Sequence, residues 1–164
     1  GYTSVSRGEP SQYIGIEIRG SVNTGILTTQ PGVAIIDPNV TARTPIDSGV
    51  DVTQREVNNL RVEGGELVST HQHCVKTNTS NSIFKGITMR GQSISAMRFL
   101  INANTTTISG CQFKNGDATD QIELISITSS TGCVVAYNPG LRAAPFSKPA
   151  NTVILDSDLE ALIP

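Results

Sequence analysis

The sequence is poor in the residue types on which several protein classes depend. Among its 164 residues there is no Trp, only 4% are aromatic and three are Cys. Three is an odd number and the cysteines have unrelated spacings, so neither a disulfide framework nor a zinc ribbon is expected. No stretch approaches the ~18 apolar residues of a membrane-spanning helix. Neither GxxxxGKS/T nor GxGxxG occurs, which argues against the two common phosphate-binding loops.

The charge balance is also weak. A formal net charge of -2 and a pI near 5.6 provide no general basic field, so nucleic acid is not an expected partner. The length fits one domain that buries roughly 70% of its unfolded surface. Ser, Thr, Asn and Gly take the place of the missing aromatic residues. Such residues are typical of short strands joined by polar turns and not of long amphipathic helices.

A Gly-Cys phrase recurs in the second half of the chain. It occurs in TISGCQFKNG at 107–116 and in SSTGCVVAYNPG at 129–140. Aligning these two stretches with earlier ones gives five anchor residues, namely Gly15, Asn59, Gly86, Gly110 and Gly132. The anchors are separated by 44, 27, 24 and 22 residues. The first gap leaves room for one more repeat, at VAIID in 33–37.

Hydrophobicity alternates after every anchor. The first and third residues that follow the anchors are all apolar: Ile16, Ile18, Leu60, Val62, Ile87, Met89, Cys111, Phe113, Cys133 and Val135. The intervening residues, such as Gln112 and Lys114, are mostly polar. A period of two within a longer repeat predicts a coiled parallel sheet. We therefore predict an all-β fold, a right-handed parallel β-helix of about six coils.

This prediction places one residue per coil in a single interior column: Ile16, Leu60, Ile87, Cys111 and Cys133. Cys111 and Cys133 then occupy the same inward position one coil apart. A disulfide between them is geometrically conceivable, but buried thiols are expected.

The chain divides into three parts by pattern. The coils are predicted over 14–140, preceded at 1–13 by an arm or connector. Residues 141–164 are predicted to form a proline-broken connection, a strand at 153–155 and a short helix, which are candidates for an end cap or a subunit contact. Ser157 and Glu160 fit a capping box at the start of that helix.

The Asn-Thr-rich coils resemble a known group of proteins. Phrases such as NTTTISGCQFKNG and TNTSNSIFKGITMRG are similar to the coils of pectate-lyase-type β-helical proteins, above all bacteriophage tailspikes and related virion adhesins. The resemblance covers about residues 14–140. It implies a homotrimer that binds cell-surface polysaccharide and often cleaves it with acidic residues. It also implies a virion or extracellular location, with other virion tail proteins as partners.

Three acidic residues are candidates for catalysis on such a glycan. Acid and base catalysis needs two carboxylates ~5 to 9.5 Å apart. The cluster GDATDQIE supplies Asp117, Asp120 and Glu123 on the loop and strand after Lys114. Ordinary turn chemistry is the commoner explanation of the two Asp residues.

Three outward residues are candidates for carbohydrate binding. The proposed register places Glu63 beside Arg90, and Arg90 beside Lys114. Arg90 and Lys114 would form a basic strip for an anionic sugar, whereas a Glu63–Arg90 pair on a solvated face is the commoner explanation. His71, His73 and Cys74 are close in sequence but lack further ligand spacing, so no metal and no cofactor are expected.

The expected function is a structural and binding module, part of a virion tailspike or tail fibre that recognises host-surface polysaccharide. The first alternative is a polysaccharide hydrolase or lyase that uses Asp117, Asp120 and Glu123. The second is a secreted bacterial adhesin passenger built from the same coil. An open coil end invites pairing, so a homo-oligomer is also expected.

Overall fold

The protein consists of three parallel sheets. The computed structural model describes residues 11–20, 22–48, 57–99, 104–124, 132–142 and 153–155. The first sheet has seven strands in the order β1 (Gln12–Ile14), β4 (Ala34–Ile36), β7 (Arg61–Glu63), β10 (Ile83–Lys85), β13 (Thr107–Ser109), β16 (Val134–Ala136) and β17 (Val153–Leu155). The second has β14 (Gln112–Phe113), β11 (Thr88–Arg90), β8 (Glu66–Ser69), β5 (Asn39–Ala42) and β2 (Glu17–Ile18). The third has β15 (Ile122–Leu124), β12 (Ser95–Phe99), β9 (His73–Thr77), β6 (Thr44–Ser48) and β3 (Thr24–Thr28).

Successive strands belong to successive sheets, so the chain winds as a parallel β-helix. One strand of each sheet makes a coil, and this set of three occurs five times between β1 and β15. The predicted all-β parallel β-helix is confirmed, although the count of about six coils is slightly too high. The described ranges contain no helix, and hence none that is long and apolar enough to cross a membrane.

The core runs along the inside of the coils. The central residue of each first-sheet strand from β4 to β16 is buried: Ile35, Val62, Phe84, Ile108 and Val135. The second sheet contributes Val40, Leu67, Met89 and Phe113 in the same way. Phe84 and Phe99 pack edge to face with ring centroids 5.8 Å apart. Burial of each such side chain contributes about 1.5–3 kcal/mol, so the apolar interior of the coils is the main stabilising feature.

Two corners of each coil contain a residue in the left-handed region. The corner after the first sheet has φ between 49° and 69° at Gly15, Asp37, Gly64, Gly86, Gly110 and Tyr137. The corner before the first sheet has φ between 50° and 74° at Gly32, Asn59, Asn81, Thr105 and Gly132. Glycine is favoured at both corners because it lacks the Cβ that strains this conformation.

The existence of two such corners corrects the predicted register. Gly110 precedes a second-sheet strand, whereas Gly132 precedes a first-sheet strand, so the two Gly-Cys phrases are not equivalent. Gly110 donates its backbone N–H to Ala136 O and lies next to Gly86, while Gly132 lies next to Thr105. Both corners have a left-handed residue followed by an alternating strand. The sequence pattern therefore does not distinguish the two corners.

The single interior column is therefore wrong. Ile16, Ile87 and Cys111 lead into the second sheet, whereas Leu60 and Cys133 lead into the first. All except the half-buried Ile16 are buried, so the predicted inward direction holds for four of the five. Cys111 and Cys133 are buried thiols at different corners and do not stack.

A seam of buried hydroxyl and amide groups runs inside the corner between the third and first sheets. It comprises Ser48, Thr77, Asn78, Thr79, Ser80, Ser82 and Thr106. Ser48 and Thr77 share a hydrogen bond between coils, and Thr79 Oγ1 donates to Val57 O. Ser82 Oγ accepts the backbone N–H of Leu60 at 2.9 Å. Because buried polar groups are costly without partners, these contacts tie neighbouring coils to each other.

The ends of the chain bear on the predicted boundaries. β1 begins at Gln12, inside the predicted arm of 1–13, and β17 confirms the strand at 153–155. The rest of that arm up to residue 10, and the short helix with Ser157 and Glu160, lie outside the described residues.

Candidate functional site

Asp120 is fully buried and organises the loop between the second and third sheets. One carboxylate oxygen accepts the backbone N–H of Asn115 at 3.0 Å and the Gln92 Nε2 amide at 2.8 Å. The other accepts the backbone N–H of Gly116 at 2.6 Å. The side chain has 0% exposed surface, so it offers a glycan no contact in this structure. Three donors from protein groups satisfy the charge that burial would otherwise penalise.

Asp117 lies on the same loop but is exposed. Its Oδ1 accepts the backbone N–H of Thr119 at 2.8 Å and the hydroxyl of the same residue. The hydroxyl bond, followed by the backbone bond, lowers the pKa of Asp117. A carboxylate with a lowered pKa is held ionised, which suits a base or an electrostatic contact and not a proton donor.

Glu123 lies on β15 and faces other side chains. Its Oε2 accepts the Ser95 hydroxyl at 3.2 Å and lies 3.8 Å from Arg98 Nε. The three predicted catalytic residues thus have different environments: Asp120 is buried, Asp117 is exposed, and Glu123 is half-buried beside a cation. Their catalytic role remains a prediction, and the burial of Asp120 argues against it for that residue.

The outer face of the second sheet has a continuous polar row. Cross-strand pairs align one polar side chain from each strand, namely Glu17, Asn39, Glu66, Thr88 and Gln112. We call this row, together with Arg90 and Lys114, the second-sheet wall. Its residues are exposed or half-exposed. Arg90 is 51% exposed and its Nε donates to Glu66 at 2.8 Å.

Lys114 extends the second-sheet wall by one residue beyond β14. Its backbone N–H donates to Met89 O at 3.0 Å, which continues the parallel ladder and places Lys114 beside Arg90, as expected. Both side chains are exposed. The hydrogen bond with Glu66 raises the pKa of Arg90. Arg90 therefore stays charged but is already paired, which leaves Lys114 as the less neutralised of the two cations.

Glu63 is not part of this wall, which corrects the third predicted carbohydrate-binding residue. It lies in the first sheet, next to Lys85 in register, and its carboxylate accepts Arg61 Nε at 2.7 Å and Nη2 at 2.9 Å. The bond with Arg61 lowers the pKa of Glu63. The error follows from aligning Asn59 with the wrong corner. Glu66, three residues later, is the partner of Arg90.

Tyr137 is an exposed aromatic residue that the sequence pattern did not single out. It is 71% exposed and has φ 54°, in a corner whose five other residues are Gly or Asp. A bulky residue in the left-handed region is strained. Asn138, which follows it, accepts the backbone N–H of Cys111 and so holds the corner to the coil below. The phenol ring is thereby displayed at one end of the corner that leads to the second-sheet wall.

The outer face of the third sheet has a charged row that sequence reasoning missed. Register aligns Asp47 with Lys76, Lys76 with Arg98, and Arg98 with Glu123. We call these four residues the third-sheet wall. Lys76 Nζ lies 4.0 Å from Asp47 Oδ2, and Arg98 Nε lies 3.8 Å from Glu123 Oε2. Both separations exceed hydrogen-bond distance.

His73 connects to this wall from the start of β9. Its Nδ1 lies 2.8 Å from Ser95 Oγ, and its Nε2 lies 3.3 Å from Arg98 Nη1. Arginine only donates, so His73 Nε2 accepts and the ring is neutral with its proton on Nδ1. Burial is the largest cause that lowers the pKa of His73, and the neighbouring cations Arg98 and Lys76 lower it further. The ring therefore adds no positive charge near pH 7.

Asp47 is the most buried carboxylate of the third-sheet wall. Burial raises its pKa, and Lys76 offsets part of that rise. Its Oδ1 has no hydrogen-bond partner, and neither does Arg98 Nε. Unpaired buried polar atoms are uncommon in folded proteins, so both atoms indicate an incomplete network.

The three residues considered as metal ligands, His71, His73 and Cys74, lie in different environments. His71 is exposed and His73 is buried, while Cys74 Sγ donates to Arg90 O at 3.4 Å and Leu67 O at 3.5 Å. Burial raises the pKa of Cys74 to about 12, which disfavours the thiolate that metals and electrophiles require. Among the described residues, no group of three or more His, Cys, Asp or Glu is arranged to hold a metal ion.

Comparison with protein-family models, with curated proteins and with solved structures returned no match.

Proposed function

We propose that this chain is a polysaccharide-binding β-helix module of the virion tailspike or tail-fibre type, which recognises host cell-surface glycan. The observation that carries this proposal is the polar row of the second-sheet wall, in which five consecutive strands each present one hydrogen-bonding side chain in register. Strands of neighbouring coils lie ~4.8 Å apart, so the row extends about 19 Å along the axis.

This geometry suits an extended sugar chain. A glycan lying along the axis would meet a carboxylate, an amide or a hydroxyl at every coil. Because the side chains are exposed or half-exposed, a glycan reaches them without a change in the fold. The parallel ladder fixes the backbone spacing of the row, so the attachment points of the side chains are in place before binding.

Binding is favoured over cleavage by the state of the acidic residues. Asp120 is used inside its loop, and Glu123 is occupied by Ser95 and lies beside Arg98. Asp117 is exposed and Glu123 is half-buried, so a catalytic pair would consist of one free carboxylate and one already engaged by Ser95 and Arg98.

The tailspike assignment carries the expectation of a homotrimer and of contacts with other virion proteins. Sedimentation of the purified chain tests the first expectation. A species of three chains is expected, and a species of 17.4 kDa at micromolar concentration would contradict it.

A glycan array with bacterial capsular and lipopolysaccharide glycans tests the binding function. Thr88→Ala removes a half-exposed hydroxyl from the second-sheet wall, and Thr107→Ala removes a half-exposed hydroxyl from the outer face of the first sheet. Thr88→Ala is expected to weaken binding about 2- to 10-fold, the range of one lost hydrogen bond, and Thr107→Ala to leave it unchanged.

Three results would count against the proposal. The first is the absence of binding to every surface glycan tested. The second is equal weakening by Thr88→Ala and Thr107→Ala, which would separate binding from the second-sheet wall. The third is release of new reducing ends from a bound glycan, which would favour a hydrolase or lyase.

A further inference from the structure

Two cations lie side by side at the centre of the third-sheet wall. Lys76 and Arg98 are directly paired across β9 and β12, with Asp47 and Glu123 one strand further out on either side. Like charges directly opposite each other destabilise a sheet. The ladder keeps the two backbones ~4.8 Å apart, so the side chains have limited room to separate.

The flanking carboxylates do not fully neutralise these cations. The distances of 4.0 Å from Lys76 to Asp47 and 3.8 Å from Arg98 to Glu123 leave both pairs without a direct hydrogen bond. Glu123 Oε2 already accepts the Ser95 hydroxyl at 3.2 Å. Asp47 Oδ1 has no hydrogen-bond partner, so this carboxylate is not positioned to pair closely with Lys76.

Arg98 also has a donor that the protein leaves unused. His73 Nε2 faces Arg98 Nη1 at 3.3 Å, whereas the Nε–H is buried and has no acceptor. The side chains of Lys76 and Arg98 remain 34% and 30% exposed, so a ligand has access to them from outside. A guanidinium group with an unused N–H matches the oxygens of a carboxylate, sulfate or phosphate.

We propose that Lys76 and Arg98 form an oxyanion-binding site, and that the oxyanion is the carboxylate of an acidic sugar. The inference rests on the proposed function, because that function supplies a glycan as the source of the anion. One carboxylate placed between the exposed parts of the two side chains relieves their mutual repulsion. The glycan recognised by the chain is therefore acidic, and it contacts the third-sheet wall in addition to the second-sheet wall.

Charge-removing variants test this site against a matched control. The double variant Lys76→Gln with Arg98→Gln removes one Lys and one Arg from the third sheet. The control, Lys85→Gln with Arg61→Gln, removes the same pair of residue types from the outer face of the first sheet. Three probes are titrated: a soluble polyuronate, a neutral polysaccharide of similar length, and inorganic phosphate.

The third-sheet variant is expected to lose about 10- to 100-fold in affinity for the polyuronate, the range of a lost charge-assisted hydrogen bond. The control variant is expected to lose less than about 3-fold, because only long-range attraction changes. Equal losses in the two variants, or no loss in either, would overturn the site. So would phosphate binding at Arg98 without polyuronate binding, which indicates a site for small inorganic anions only.

A measurement on the unaltered protein covers the case in which the double variant does not fold. The Arg98 Nε–H resonance is followed by NMR as each probe is added. A saturable shift with polyuronate that the neutral polymer does not cause is expected, and an unresponsive resonance would overturn the site. If a neutral glycan binds through the second-sheet wall and the Arg98 resonance does not respond, the oxyanion site is contradicted and the proposed function is not. If the Arg98 resonance responds but no bacterial surface glycan binds, the proposed function is contradicted and the oxyanion site is not.

Discussion

The ion pairs of the second-sheet and third-sheet walls differ in both distance and solvent exposure. Both walls place ion pairs on the outer face of a parallel sheet. On the second-sheet wall, Arg90 and Glu66 are well exposed and only 2.8 Å apart. On the third-sheet wall, Lys76 and Asp47 are more buried and 4.0 Å apart. The short exposed pair is screened by water and contributes little to the free energy of unfolding. The more buried pair is less screened, so the loss of one of its partners costs more. Short distance alone is therefore a poor guide to which wall matters for stability.

The largest effect expected from this comparison is on global stability. Arg98→Ala leaves His73 Nε2 and Glu123 without their cation, and it is expected to lower the free energy of unfolding by about 1–3 kcal/mol. Arg90→Ala removes an exposed pair and is expected to cost less than about 1 kcal/mol. Urea denaturation of the two variants under identical conditions measures both. Equal costs would remove the distinction between the walls.

Tyr137 allows stability and binding to be separated at the corner that leads to the second-sheet wall. Tyr137→Gly relieves a bulky residue at φ 54° and is expected to leave stability unchanged or raise it by about 0.5–1 kcal/mol. If the exposed ring stacks on sugar, the same variant weakens glycan binding about 5- to 10-fold, in line with the value of aromatic contacts. Thermal unfolding and array binding are measured together. A loss of stability in Tyr137→Gly would assign the ring a packing role instead.

The pH dependence of stability is expected to have opposite sign for the two walls. The hydrogen bond from Arg90 lowers the pKa of Glu66 below its ordinary 4.5, so its contribution is present above pH 4.5 and is lost as pH falls through the lowered value. Burial raises the pKa of Asp47 above its ordinary 3.8. The folded state then holds the proton more tightly, so acidification through the raised pKa towards 3.8 adds stability.

Glu66→Gln and Asp47→Asn isolate these two contributions. The stability difference between wild type and Glu66→Gln should stay constant down to about pH 4.5 and shrink as pH falls further, through the lowered pKa of Glu66. The difference between wild type and Asp47→Asn should instead move in favour of wild type as pH falls through the raised pKa of Asp47 towards 3.8. Unfolding free energies at several pH values at constant ionic strength provide the comparison. Differences that change in the same direction would contradict the assigned environments.

The smallest effect is expected at Lys114. Its side chain is exposed at the end of the second-sheet wall, and Lys114→Gln should change the free energy of unfolding by less than about 0.5 kcal/mol. Its effect on polyuronate affinity should also stay below that of Lys76→Gln, because Lys114 is more exposed. A larger effect at Lys114 than at Lys76 would move the anion site to the second-sheet wall.

The sequence predicted the winding of the chain because inward residues alternate at every strand. It did not predict the register. Two corners require a left-handed residue, and Gly110 and Gly132 serve different ones. Equivalent positions of neighbouring coils are 22 residues apart for Leu60 and Ser82 and 24 residues apart for Asn81 and Thr105. Because Gly110 and Gly132 are also 22 residues apart, their spacing matches one full coil although they occupy different corners. Only the cross-strand pairs show which corner each of the two glycines occupies.

The same limit explains which functional residues were found. Arg90 and Lys114 follow correctly aligned anchors, so their neighbourhood was predicted. Glu63 followed a misaligned anchor, and its neighbours were wrong. Lys76 and Arg98 lie outside the aligned stretches that follow the anchors, and their proximity depends on unequal loops between coils. Burial of Asp120 was equally hidden, because Gly-Asp in a turn is common whether the carboxylate faces water or the loop interior.

The seam of hydroxyl and amide groups between the third and first sheets has a consequence for how the coils find their alignment during folding. An apolar column tolerates a slip of two residues, because one buried aliphatic side chain then replaces another at little cost. The same slip at Thr79 or Ser82 would instead leave hydroxyls inside the fold with no acceptor, and would disfavour the slipped state. Insertions of a single residue should therefore be tolerated in the long connections between coils and rejected next to this seam.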